Sequence, residues 1–124
     1  MKTLILVFVG GGAGSCCRYA LSAWLNPQFR LFPAGTLLAN VLSCVVLGYF
    51  AVYLAGKLPL SDDLKKLVLI GFCGGFSTFS TFSNELLGLL KQQAWAALLL
   101  YLVSSLLLSL LALLLGMYLG QQTS

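Results

Sequence analysis

The chain has 124 residues, 60% hydrophobic and 8% charged, with a mean hydropathy of +0.99; soluble domains carry about 25% charged residues, so the composition excludes that class and defines an integral membrane protein. The net charge of +4 comes from scattered lysines and arginines with no interleaved aromatic patch, which argues against nucleic-acid binding. With no histidine and no CxxC pair, zinc chemistry and histidine proton relays lack support as well.

Four apolar stretches, residues 4–25, 34–55, 64–90 and 94–119, each reach the roughly 20 residues that a bilayer-crossing helix needs. The expected fold is therefore all-α integral membrane, one transmembrane domain over residues 1–124 with no soluble part. The first stretch is too long for a cleavable leader and runs on into Arg18 and Tyr19, so it is expected to stay as a helix. Its segment GGGAGSCCRY is rich in small residues, which let helix backbones approach where lipid supplies no hydrophobic drive. Arg18 lies toward the end of the span, where its stem can snorkel, and reads as a structural anchor. Asn26 and Pro27 end this helix and Pro33 precedes the next. Lys2, Lys57, Lys65 and Lys66 fall on one side, Arg30 and Lys91 on the other, a bias small enough to permit insertion in both orientations. Cys16, Cys17, Cys44 and Cys73 read as small packing residues.

In the second stretch Thr36 and Asn40 are four apart and share a face. A lipid-facing asparagine would leave its amide unsatisfied, so Asn40 should point into the bundle, as interhelical glue or as a pore lining. The turn GKLPLSDDLKK offers Ser61 or Asp62 as a helix cap, with Asp62 and Asp63 complementing the helix dipole rather than acting in catalysis.

The third stretch holds the most unusual run, GFCGGFSTFSTF from Gly71 to Phe82. Each glycine inside a helix costs about 1 kcal/mol relative to alanine, and Gly71, Gly74 and Gly75 are followed at once by Ser77, Thr78, Ser80, Thr81 and Ser83. This predicts a broken helix whose freed backbone groups meet protein, water or an ion. Glu85 is an intramembrane acid, a functional candidate by position, with pairing to Arg18, a hydroxyl or interfacial water as the plainer reading. In the fourth stretch Ser105 and Ser109 share a face near Ser104, where serines commonly bond the carbonyl four residues back. Taken together, three helices carry narrow stripes of neutral donors, which suit a small ion stripped of water.

GGGAGSCCRY, GTLLAN and GFCGGFSTFSTF, in this order and spacing, resemble the CrcB/Fluc fluoride channels across essentially all four spans. The resemblance implies an antiparallel, dual-topology homodimer in a bacterial inner (plasma) membrane, with two fluoride pores near its interface, lowering cytoplasmic fluoride passively and without enzymatic chemistry. It implies that backbone carbonyls of Gly74 and Ser77 hold a structural sodium ion at the dimer interface. It also implies that Phe79 and Phe82 turn ring edges to the anion, that Asn40 faces the pore, and that Thr36, Ser105 and Ser109 form a polar track. Arg18 and Glu85 fall at recurrent positions, with structural or vestibule roles. Ser77 replaces a frequent threonine, harmless for a backbone ligand, and Ser43 replaces the usual glycine, which should alter packing of the second helix. Two other readings compete. A small four-helix drug/proton antiporter would need a titratable acid in its chamber, absent from the first span, and a non-transporting assembly subunit would leave ion permeability untouched.

Overall fold

Gly10 and Gly14 decide how the first helix packs. The structure, a computed structural model, describes residues 1–29, 32–55 and 60–123, and its first helix, α1, spans Lys2–Leu25. A Cβ at Gly10 would strike the Leu67 carbonyl and one at Gly14 the Phe72 carbonyl. With no side chain at either position, α1 lies backbone to backbone against residues 66–76, the close approach that small residues four apart permit.

A 3₁₀ turn, Asn26–Gln28, with Pro27 inside it, closes α1. Asn26 Oδ1 then accepts from the Gly35 amide at 2.8 Å, so the residue that ends one helix satisfies an otherwise orphaned amide at the start of the next. That next helix, α2, spans Ala34–Tyr53 and packs chiefly on the last, α6, Trp95–Thr123. α6 runs past the expected end at residue 119, its last turn tied by Thr123 Oγ1 to the Leu119 carbonyl and to the Tyr49 hydroxyl.

Residues 60–91 form a succession of shorter helical pieces. α3, Leu60–Lys65, passes into a π-helical segment, Lys66–Phe72, and then into α4, Cys73–Phe76. Ser77 (φ −83°, ψ 155°) and Thr78 (φ −153°, ψ 124°) are extended, and α5 resumes over Phe79–Lys91. Helix thus begins at Leu60, ahead of residue 64, and places Asp62 and Asp63 in the first turn instead of at a cap. There they oppose the positive end of the helix dipole; Asp62 pairs with Lys66 at 2.8 Å, which holds its carboxyl below the usual range. Arg30 and Lys57, two of the charges used to judge orientation, lie outside the described residues, as does the Ser61 side chain.

α5 ends in a tight turn in which the Ala94 amide reaches the Leu89 carbonyl and the Gln93 amide the Leu90 carbonyl, both at 3.0 Å. Gln93 takes the left-handed conformation that this cap requires, at φ 54°. Among the described residues three helices, Lys2–Gln28, Ala34–Tyr53 and Trp95–Thr123, are long and apolar enough to cross a membrane. Leucines 106, 107, 110, 111 and 114 stay exposed along α6, as expected of a surface bathed in lipid. A buried hydrophobic cluster of Phe82, Leu89 and Tyr101 joins α5 to α6.

Candidate functional site

The two extended residues are held from α2. The Thr78 amide donates to Asn40 Oδ1 at 2.9 Å, and Asn40 Nδ2 donates to the Thr78 carbonyl at 3.4 Å. Thr78 also caps α5, its Oγ1 accepting from the Thr81 amide at 3.2 Å. These bonds have a second effect. In a continuous helix the amides of Thr78 and Thr81 would bond the carbonyls of Gly74 and Ser77, the partners four residues back. Both amides are turned to side chains instead.

Neighbouring carbonyls are provided for. Cys73 O accepts the Ser77 amide at 3.0 Å, Ser77 Oγ at 2.8 Å and Ser43 Oγ at 3.2 Å, and Gly75 O accepts Arg18 Nε at 3.1 Å. Ser43, expected to disturb packing, is buried and binds the segment before the interruption. Arg18 anchors that segment too, and does not pair with Glu85. A Cβ added at Gly74 would meet nothing within 4 Å, so its backbone borders open space. Neutral carbonyls freed at a helix interruption suit a small, hard monovalent cation. Side-chain chelation is another matter: among the described residues no group of three or more His, Cys, Asp or Glu could hold a metal ion.

Asn40, Phe79, Phe82, Ser105 and Ser109 line one groove of about 370 Å³, with Ser77 and Thr78 in its wall and no charged side chain around it. Phe82 is 7% exposed and Phe79 79% exposed, with ring centroids 6.0 Å apart. Ser105 is 6% exposed, and its Oγ has no partner. An unpaired buried hydroxyl costs about 1 to 3 kcal/mol, so a donor kept here requires a reason. Ser104, not Ser105, makes the bond four residues back, to the Leu100 carbonyl at 2.5 Å.

Thr36 is not on this groove. Fully buried, it donates to Glu85 Oε1 at 2.6 Å, while the Tyr101 hydroxyl donates to Glu85 Oε2 at 2.8 Å. Glu85 opens on a second cavity, of about 320 Å³, shared with Asn26, Asn84 and Gln92. Phe82, which lines the groove, packs edge-on against Tyr101 at 5.1 Å and 64°, and Tyr101 in turn bonds Glu85 of the second cavity. Tyr101 was missed from the sequence, although its spacing four residues before Ser105 and eight before Ser109 puts all three on one helix face.

An all-α membrane protein with an uncharged polar groove at a helix interruption is the class that these features define. Residues 5–117 match the family model described as CrcB-like protein, Camphor Resistance (CrcB), and the chain belongs to that family. Curated relatives named fluoride-specific ion channel FluC include one from Phocaeicola vulgatus, 40% identical over 122 residues, covering 98% of this chain and 100% of that one. Another, from Magnetococcus marinus, is 42% identical over 119 residues, 93% of this chain and 94% of its own. A third, from Pyrococcus furiosus, is 38% identical over 122 residues, 98% of each.

Proposed function

We propose that this chain is a passive, fluoride-selective channel of a bacterial inner membrane, working as an antiparallel homodimer. The observation that carries this reading is the groove, where amide, hydroxyl and aromatic groups converge without a fixed charge. Fluoride must exchange its water shell for donors to enter, and it must find no partner tight enough to hold it. Asn40 spends one Nδ2 hydrogen on Thr78 and keeps the second for the groove, since an amide nitrogen carries two. Ser105 offers the hydroxyl that lacks a partner. Phe79 and Phe82 present ring edges, which carry positive quadrupole charge and attract an anion without trapping it. Ser109 continues the line along α6, and Thr36 with Glu85 and Tyr101 sits behind Phe82, toward the second cavity.

On this reading residues 60–91 form a third, interrupted crossing, and the interruption meets its counterpart in a second copy. The exposed Phe79 ring and the open side of the groove support such a partner. Gly74 and Ser77 would hold a sodium ion through their backbone carbonyls, two from each copy, and the ion's charge would fix the two interruptions against each other. The membrane potential then drives the anion outward, at about 2.3 kcal/mol per charge per 100 mV. Transport of this kind calls for no bond making and no enzymatic group. A proton-coupled antiporter is less well supported, because Glu85 has both oxygens bonded to hydroxyls instead of standing free in a chamber.

The test is fluoride efflux from liposomes, read with a fluoride electrode, for the native chain and for Phe79→Ile with Phe82→Ile. Loss of the aromatic edges should lower the rate by about a hundredfold, which equals roughly 2.7 kcal/mol of barrier. Unchanged efflux from the folded double variant would remove the aromatics from the pathway.

A further inference from the structure

The second helix holds the chain on both sides of the interruption. Asn40 bonds the amide and the carbonyl of Thr78. Ser43, three residues on and so on the same face of α2, donates its hydroxyl to the Cys73 carbonyl at 3.2 Å. Both members of this second bond are buried, each 3% exposed. The Cys73 carbonyl also accepts the Ser77 amide and the Ser77 hydroxyl. A carbonyl oxygen has two lone pairs, so this one is satisfied without Ser43, whose bond serves position more than supply. From another helix, Arg18 takes the Gly75 carbonyl at 3.1 Å. Side-chain donors therefore hold the carbonyls of Cys73, Gly75 and Thr78, while among the described residues none reaches those of Gly74 and Ser77. These two lie, in the chain, between the points that α2 holds.

We propose that Ser43 is a positioning residue: with Asn40 it clamps residues 73–78 against α2 and so fixes the spacing of the Gly74 and Ser77 carbonyls for one small monovalent cation. Carbonyls held on both sides favour the ion that fits their spacing, and carbonyls held on one side adapt to a larger ion as well. Removing the Ser43 hydroxyl leaves every backbone group of the segment in place and takes away one of the two anchors. The part played by the cation rests on the proposed function; the clamp itself does not.

The experiment uses the full chain in detergent, native and Ser43→Ala. The dimer fraction is followed against rising sodium and, separately, against rising potassium, and exchange of the Ser77 amide hydrogen is followed by nuclear magnetic resonance. Loss of one hydrogen bond should raise the sodium concentration at half-pairing by about threefold to tenfold, with a smaller change for potassium, and should speed Ser77 exchange by a similar factor. Equal shifts for both cations would overturn the positioning role, as would a lower unfolding midpoint without sodium accompanied by an unchanged sodium curve, the result expected of a merely structural bond. Unchanged Ser77 exchange would overturn the clamp. Native pairing that ignores sodium would remove the sodium reading and the cation's part of this proposal, and the exchange rates would still decide whether Ser43 holds the segment. Should Ser43→Ala fail to fold, Ser43→Gly makes the same comparison.

Discussion

Asn40 does two things with one side chain. It pins Thr78 through a reciprocal pair of hydrogen bonds, and it lines the groove. Asn40→Leu should therefore cost stability as well as flux. Leaving the Thr78 amide and carbonyl without their partner should lower stability by about 1 to 3 kcal/mol, read as a lower unfolding midpoint in detergent; an unchanged midpoint would mean that water replaces the amide fully. That Asn40 points inward was legible from the sequence, because an asparagine cannot be left in lipid. Its partner was not, since Thr78 comes to it from 38 positions away. Thr36 shows the same limit from the other side: its face was legible, yet its partner, Glu85, lies 49 residues distant and draws it out of the groove. Gln93 supplies a simpler test. A left-handed conformation costs a residue with a Cβ about 1 to 2 kcal/mol, so Gln93→Gly should raise stability by about 1 kcal/mol without touching transport. A fall in the unfolding midpoint would contradict this account of the turn.

At the scale of elements, the interruption at Ser77 and Thr78 lies within the run of glycines and hydroxyls that stood out in the sequence. The π-helical turns before it did not stand out, because a register change of that kind depends on how α1 packs against the segment and leaves no periodicity of its own. The adjacent glycines differ in packing. A Cβ at Gly75 would strike the Gly11 carbonyl of α1, whereas one at Gly74 meets nothing. Gly75→Ala should thus destabilise the fold by about 1 to 3 kcal/mol, as overpacking does. Gly74→Ala should leave the monomer's packing intact and, on the proposed reading, should lower the dimer fraction measured in detergent with sodium towards that without it. Equal thermal loss in both variants would show that Gly74 is packed in a way the single chain does not reveal.

Across the whole molecule, the composition made the membrane class plain, and among the described residues three of the four expected spans correspond to helices long enough to cross. The broad exposure of α1 and α6 fits a chain that completes its surroundings with lipid and, on the proposed reading, with a second copy. What the sequence concealed is the division of its polar groups into two spaces, the groove at Asn40 and the cavity at Glu85. That division follows from the approach of α5 to α6, a tertiary fact with no local signature.

The central claim is selectivity for fluoride in a groove without fixed charge. It is tested most directly by loading liposomes containing the native chain with fluoride and chloride together and following both anions after a potassium diffusion potential is imposed. Rapid loss of fluoride with chloride retained is the predicted result. Equal release of both anions, or retention of both by folded protein, would contradict it.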